Sequence, residues 1–277
     1  MRTLLRVPQV AWFTLVVFFG CLGLWSASIW AVVTDRVAMG WGTAGGVVSV
    51  YLMFTPLHEA VHQSIARRRW VNELVGRVCG VLMLAGFAPF RHVHLEHHKH
   101  TNDPEKDPDY WSGSDPKWAL PLRWLTQDLH YWVVYSRVWA GRPARERYEM
   151  IVTTVGEIGV SVALIATGWG WHWLLLWIVP SKLAIVFLAY SFDYLPHVPH
   201  RITGKENRYR ATLVRPNGLL TPLLLSQNLH LIHHLYPAVP FYRYGAIWRA
   251  QRETLLEKGV EVRGITGRVL SGRGDPP

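Results

Sequence analysis

Four long and almost uncharged runs divide the chain. Each contains at least 20 residues, which is enough for a helix rising 1.5 Å per residue to cross a hydrocarbon core about 30 Å thick. The first two runs contain no charged residue, whereas the third contains Glu157 and the fourth contains Lys182. The pattern predicts an all-α, polytopic membrane protein with four transmembrane helices in two hairpins. The predicted spans cover approximately residues 9–34, 37–57, 150–170 and 172–195.

Two apolar segments have alternative interpretations. Arg2 and Arg6 precede the first run and residues 26–28 are small, as in a secretory signal peptide. A signal peptide's apolar region usually has about 7–15 residues, so we prefer a transmembrane helix for this longer run. A further apolar run at residues 78–90 is too short to cross the bilayer and suits a re-entrant or interfacial segment.

The basic residues indicate the orientation. The chain has 29 Lys and Arg and a net charge of +10. With four spans, Arg36 lies in the first outer turn and Lys182 lies within a span, so all other Lys and Arg fall on the opposite side, which the positive-inside rule makes the cytoplasm. No nucleic-acid recognition module accompanies these residues, and we expect no nucleic-acid partner. We predict one integral, multi-pass membrane domain over residues 1–277, with a cytosolic cap of residues 58–149 and 196–277.

Nine of the fourteen histidines fall in short motifs at the predicted cytosolic ends of the spans. The motif HEAVH places His58 and His62 four residues apart, on one face of a continuing helix. The motifs HLEHH and HLIHH each place three histidines at positions i, i+3 and i+4, and His197 follows the fourth span, four residues after Asp193. The two three-histidine motifs contain His94, His97, His98, His230, His233 and His234.

The number of histidines predicts a metal centre with two ions. The motif HEAVH alone also fits a zinc protease, but a zinc ion takes only about four ligands, so nine imidazoles are too many for one zinc. Two six-coordinate ions offer about twelve positions, and nine imidazoles would leave about three of them for water, oxygen or a bridging group. Because imidazole binds iron, copper, nickel and zinc alike, the spacing does not name the element.

The three motifs resemble the histidine boxes of the membrane fatty-acid desaturase and hydroxylase superfamily. The resemblance extends from Phe54 to Trp248, and HLEHHKHTNDPEKDPD and NLHLIHHLYPAVPFYRY are most similar to the boxes of β-carotene hydroxylases. In acyl-CoA desaturases the position of His197 is an additional ligand, and Asp193 stands where they have an asparagine that holds iron through water. A carboxylate there can ligate directly or bridge, so Asp193 is a further candidate catalytic residue. The resemblance implies two iron ions, O2 as co-substrate, and as ligands His58, His62, His94, His97, His98, His197, His230, His233 and His234.

The resemblance also implies an activity. We expect a non-haem di-iron oxidoreductase that hydroxylates or desaturates a C–H bond of a lipid, with β-carotene-type carotenoid hydroxylation preferred over acyl-lipid or fatty-acid desaturation or hydroxylation. A metal transporter is the alternative of another class. A transporter would place ligands near the bilayer midplane, where the sequence offers only Glu157 and Lys182.

Electrons have to come from a separate protein, because the sequence contains no cofactor-binding motif of its own. It has no Rossmann glycine pattern, no haem-attachment motif, and only two cysteines, too few for an iron–sulfur cluster. We expect an acidic ferredoxin or rubredoxin to dock on the basic cytosolic face. The candidate contacts, which can alternatively hold lipid phosphates, are Arg67, Arg68, Arg69, Arg142, Arg145 and Arg147.

The remaining polar residues receive simpler interpretations. We expect Glu59 to orient an imidazole through a hydrogen bond. We expect Glu157 to pair with Lys182 across the second hairpin or to snorkel, and lining a substrate channel is the alternative. His92, His100 and His200 are expected to lie beside the ligands or at the interface, with metal ligation as the alternative for His100 and His200, whereas His130 and His172 belong to no cluster. The proline-rich acidic segment is expected to be a solvated loop, with a cation site as the minor alternative: Asp103, Glu105, Asp107 and Asp109.

Overall fold

Helices make up most of the chain in the computed structural model, which describes residues 3–264 and 267–271. Among these residues, β-structure is limited to a short antiparallel pair, β1 (Val262–Arg263) and β2 (Val269–Ser271), and two isolated bridges. The main helices are α1 (Trp12–Val33), α2 (Met39–Val61), α3 (Arg69–Leu82), α4 (Phe87–His100), α5 (Leu120–Leu125), α6 (Gln127–Val138), α7 (Ala144–Ala166), α8 (Gly170–Tyr194), α9 (Leu220–Leu223), α10 (His230–Leu235) and α11 (Tyr244–Glu257).

Three helices in the described part of the chain, α1, α7 and α8, are both long and apolar enough to cross a membrane. The bent pair of α3 and α4 would provide a fourth crossing if it were one broken span. Helix α7 exposes a row of apolar side chains, including Val155 and Val162, as expected for a surface that faces lipid. The helical, membrane-type fold predicted from the sequence is therefore confirmed, while the four-span topology and the cytosolic cap stay predictions.

Helix α2 occupies the predicted second span, but it is packed among other helices rather than presented to lipid. Ser49 donates a hydrogen bond of 2.7 Å to the carbonyl oxygen of Cys21 on α1. On the other side, a Cβ at Gly46 would lie 3.0 Å from Cγ of Pro180 on α8, so the glycine permits this close approach. Small and polar residues suit such a central helix and lower its hydropathy, which explains why α2 is not among the three clearly apolar spans.

A bend of 105° between α3 and α4 turns the chain back toward the end of α2. Glycines make the bend possible, because a Cβ at Gly80 would lie 2.8 Å from the backbone nitrogen of Phe87, and Gly86 has a φ of +50°. The predicted short segment at residues 78–90 is therefore the corner of a helical pair that begins at Arg69. The corner directs α4, which carries the second histidine motif, to the first motif at the end of α2.

The C-terminal region forms a second hydrophobic core, which holds the third histidine motif. Leu231 and Ile232 of α10 pack with Ile247 and Trp248 of α11, and all four side chains are buried. Asn102, which follows α4, donates hydrogen bonds to the carbonyl oxygens of Ile202 and Ala211, at 2.9 and 2.7 Å. Asn102 thus connects the end of α4 to the segment that lies between α8 and the third motif.

The expected ion pair between Glu157 and Lys182 is wrong. Lys182 forms its ion pair and hydrogen bond with Asp128 on α6. Sequence patterns identified Lys182 as a cation that needs a partner, but not that α6 packs against α8 and provides one.

Candidate metal centre

Five imidazoles from three helices converge at the end of α2. We call this set group A, and its candidate ligand atoms all lie within 4.8 Å of one another. The Nε2 atom of His58 is 3.0 Å from Nε2 of His233, which in turn is 2.8 Å from Nε2 of His98. His94 lies between His98 and His62, at 3.1 and 2.9 Å between Nε2 atoms. Group A consists of His58, His62, His94, His98 and His233.

Four further imidazoles form a neighbouring set, group B, which consists of His97, His197, His230 and His234. Their candidate ligand atoms also lie within 4.8 Å of one another. The Nε2 atom of His234 is 3.0 Å from Nε2 of His230 and 3.3 Å from Nε2 of His97. The structure thus brings together all nine histidines that the sequence analysis proposed as ligands, and it divides them into two groups.

Hydrogen bonding between imidazoles cannot account for group A. Each Nε2 of a neutral ring carries either one hydrogen or one lone pair, so it can form one ordinary hydrogen bond in the ring plane. His94, His98 and His233 each have two Nε2 neighbours within 3.1 Å. Five such atoms cannot all be satisfied by one another, whereas five lone pairs directed at a common point suit a metal ion.

The histidines of the third motif are held neutral. Burial is the main cause, and the neighbouring histidines add to it, so the pKa values of His230, His233 and His234 lie well below the ordinary value of histidine. A metal ion binds the unprotonated imidazole, so these side chains need lose no proton at neutral pH before binding. The low pKa values therefore favour metal binding.

His197 provides the clearest indication that group B fits a metal. Its Nδ1 donates a hydrogen bond of 2.7 Å to the carbonyl oxygen of Asp193, which leaves the lone pair on Nε2. This Nε2 is buried and has no hydrogen-bond partner among the described residues. The ring centroid lies 4.8 Å from those of both His97 and His230. The unpaired acceptor is accordingly placed as a fourth ligand would be.

Two buried aspartates support His97, and this corrects the expectation of a solvated acidic loop. Oδ1 of Asp107 lies 2.8 Å from Nδ1 of His97, and Oδ2 of Asp109 lies 3.5 Å from the same atom. Asp109 also accepts a hydrogen bond of 2.6 Å from the hydroxyl of Tyr131. Glu105, in the same loop, is exposed as predicted. A histidine that binds a metal usually has a carboxylate or carbonyl partner on its other ring nitrogen. A search for such a partner near the second motif could have identified Asp107.

Glu59 holds the helices together rather than orienting an imidazole. Its carboxylate accepts a hydrogen bond of 2.5 Å from the hydroxyl of Thr14 on α1 and another from the backbone nitrogen of Phe241. No imidazole is among the hydrogen-bond partners described for Glu59. The expected role is therefore replaced by a structural one, which fixes the end of α2 against α1 and the segment before α11.

Asp193 and the other histidines lie outside both groups. The carboxylate of Asp193 accepts a hydrogen bond of 3.3 Å from Nε2 of Gln127, and Asp193 belongs to neither set of imidazoles. Metal ligation by Asp193 stays a prediction. The remaining histidines contact other residues: His92 near Arg142, His100 near Glu96, His130 on Trp111, His172 near Trp169, and His200 near Tyr110 and Tyr194.

Comparison with known proteins agrees with this geometry. The model of the fatty acid desaturase family matches residues 36–266. The chain belongs to the fatty acid desaturase family. Its relatives in this family are oxidoreductases, and the chain is therefore an enzyme of this class.

Relatives differ in the substrates that their names state. The sn-1 oleoyl-lipid 12-desaturase of Anabaena variabilis is 27% identical over 80% of this chain and 69% of its own length. The sn-1 acyl-lipid omega-3 desaturase (ferredoxin) of Nostoc sp. (strain 36) is 21% identical over 69% of this chain and 61% of its own length. The zeaxanthin 4-ketolase of Chlamydomonas reinhardtii is 26% identical over 90% of this chain and 53% of its own length. The chain thus spans from about half to just over two thirds of these relatives.

Removing one imidazole from either group should remove about one metal ion per chain. We predict two ions per chain in the unmodified protein, and about one in His62→Ala or His234→Ala, since each variant leaves the other group complete. Elemental analysis of purified protein measures this. His172→Ala is the control, because that ring contacts Trp169 outside both groups. A single zinc ion per chain, unchanged in both variants, would contradict the two-site arrangement.

Asp107 should control the metal affinity of group B. Asp107→Ala removes the carboxylate beside Nδ1 of His97, and loss of such a partner typically weakens metal binding about 10–100-fold. Titration of metal-free protein against a competing chelator should show this weakening for one of the two ions. Glu105→Ala, in the exposed part of the same loop, should leave both affinities unchanged. Equal effects of the two substitutions would argue against the assignment.

Proposed function

We propose that this enzyme holds two iron ions in groups A and B and uses O2 to oxidise a C–H bond in the acyl chain of a membrane lipid. The observation that carries the proposal is an apolar cavity beside group A. Phe54 and Phe90, which line the cavity, stack on His58 and His94 with ring centroids 5.7 and 5.5 Å apart. A carbon chain lying in this cavity would therefore be close to the candidate metal ligands.

The walls of the cavity suit an unactivated carbon chain. They come from α2, the α3–α4 corner, α6 and α8, and most of the side chains are hydrocarbon. Such walls exclude water from the reacting carbon and bind a methylene chain without requiring polar groups from it. The apolar part of the lining consists of Phe54, Leu57, Met83, Ala85, Phe90, Ile185, Leu188 and Ala189.

Nine imidazoles in two groups support iron rather than zinc as the resident metal. A zinc ion is usually filled by four ligands, whereas group A alone supplies five. When bound, two iron ions would supply, with O2 and two external electrons, the oxidising power to remove hydrogen from an unactivated C–H bond. The protein contributes the imidazoles, a carboxylate that orients His97, and an apolar cavity for the lipid.

Several relatives support an acyl chain as the substrate, since they are named as desaturases of oleoyl or acyl lipids. A carotenoid is the second candidate, because the zeaxanthin 4-ketolase aligns with 90% of the chain. Carotenoid hydroxylation, which the sequence motifs favoured, has no specific support among the relatives described here. The dihydrorhizobitoxine desaturase of Bradyrhizobium elkanii, 27% identical over 74% of the chain, shows that substrates within these relatives differ widely.

We further propose that the histidine groups face the cytoplasm and receive electrons from a ferredoxin. One relative carries ferredoxin in its name, and Arg67, Arg68 and Arg69 are exposed beside the end of α2. Arg142 is a weaker candidate contact, since Glu146 already binds its guanidinium group at 2.7 Å. Opposite charges would guide an acidic donor to this face.

The substrate can be identified in a host that makes carotenes, oleoyl lipids and hydroxylated forms of both. With a matching ferredoxin and reductase, we expect new double bonds or hydroxyl groups in the acyl chains, measured by mass spectrometry of total lipids. The double variant His62→Ala/His234→Ala serves as the inactive control. Unchanged acyl chains beside newly oxidised carotene would move the assignment to the carotenoid branch, and no oxidised lipid of either class would contradict the proposed function.

Electron transfer from ferredoxin should depend on the positive charge of the predicted cytosolic face. Activity of purified protein should require added ferredoxin and reductase, and it should fall with salt, since exposed charges are screened over about 8–10 Å. Arg68→Glu should raise the KM for ferredoxin severalfold, measured from initial rates. Arg36→Glu is the matched control, because Arg36 lies in the turn between α1 and α2, on the predicted outer side. A larger effect of Arg36→Glu would reverse the proposed orientation.

A further inference from the structure

One side of the apolar cavity is polar, and a substrate made only of carbon and hydrogen does not explain this. Gln127 and Asp128 begin helix α6 and line the cavity together with Tyr131 and Asp193. The hydroxyl of Tyr131 donates its hydrogen bond to Asp109. The other three polar side chains line the same cavity as the hydrocarbon side chains described above.

Two acceptor oxygens on this side have no hydrogen-bond partner among the described residues. They are Oε1 of Gln127 and Oδ1 of Asp128, and both atoms are buried. Gln127 is only 3% exposed. Its Nε2 donates to Asp193, which fixes the amide so that Oε1 is the free atom. The second oxygen of Asp128, Oδ2, accepts from Lys182.

A wholly apolar chain in this cavity would remove water from both oxygens without replacing its hydrogen bonds. Buried polar groups nearly always have partners, and leaving one unpaired in a complex weakens binding. A ligand that donates a hydrogen bond avoids this loss. The ligand is better neutral than cationic, because Lys182 already balances the charge of Asp128 and would repel a second cation.

We infer that the substrate carries a hydroxyl group, which donates a hydrogen bond to Gln127 within the cavity. The inference rests on the proposed function, and it narrows the substrate class to hydroxylated lipids. The hydroxyl would lie near the oxidised part of the chain rather than in an exposed head group. The same cavity contacts His58 and His94 through Phe54 and Phe90, and the backbone of Asp193 binds His197.

Binding tests this inference without requiring turnover. The probes are a C18 alcohol and the hydrocarbon of the same length, added to the purified full chain in one detergent, and binding is followed as the rise in Tm with probe concentration. We expect the alcohol to bind at least about tenfold more tightly, since a site that hydrogen-bonds a hydroxyl discriminates strongly against an analogue without it. Gln127→Met, which keeps the side-chain length but removes the acceptor, should abolish the difference.

Gln9→Met is the matched control, because Gln9 is exposed and lies outside the cavity, and this variant should keep the preference for the alcohol. If Gln127→Met does not fold, the inference is still tested by the ratio of the affinities of the unmodified protein for the alcohol and the hydrocarbon. Equal affinity for the two probes would overturn the inference, and lipid oxidation by the same preparation would show that the proposed function survives. Selective binding of the alcohol without oxidation of any lipid would instead retain the hydroxyl site and contradict the proposed function.

Discussion

The structure depends on keeping nine imidazole rings close together with their lone pairs facing inward. Rings in this arrangement do not satisfy one another by hydrogen bonds, so the surrounding residues must hold them in place. Glu59 does this for the end of α2 through Thr14 and Phe241. Asp107 does it for α4 through His97, and the hydroxyl of Tyr244 lies 3.1 Å from Nδ1 of His233. Each of the three motifs is thus held by contacts outside the groups.

The division into two groups follows from helix geometry. Consecutive residues on an α-helix project about 100° apart, so His97 and His98 point to different groups, and His233 and His234 do the same. His58 and His62 are four residues apart, project in nearly the same direction and both enter group A. Once the three helix ends are known to meet, the histidine spacing therefore predicts which group each histidine joins.

Other parts of the site could not be predicted, because they depend on long-range packing. The alternation of proline and acidic residues was typical of a solvated loop, yet the fold turns Asp107 back to His97, ten residues earlier, and buries both. Lys182 and Asp128 are 54 residues apart in sequence, and no local pattern relates them. A helix, α2, lies at the predicted second span, but its glycines and serine were the sign that it would pack between α1 and α8.

The same geometry argues against transport of metal ions. A transporter needs ligands distributed along a path, with each ion held weakly enough to leave. Here the candidate ligands form two adjacent groups at the ends of α2, α4, α8 and α10, and most of their side chains are buried. Deeper in the bundle, the cation Lys182 is already paired with Asp128. The cavity beside group A is lined mainly by hydrocarbon, which suits a lipid chain better than a hydrated ion. A centre with many ligands and an apolar approach is suited to oxidising a lipid.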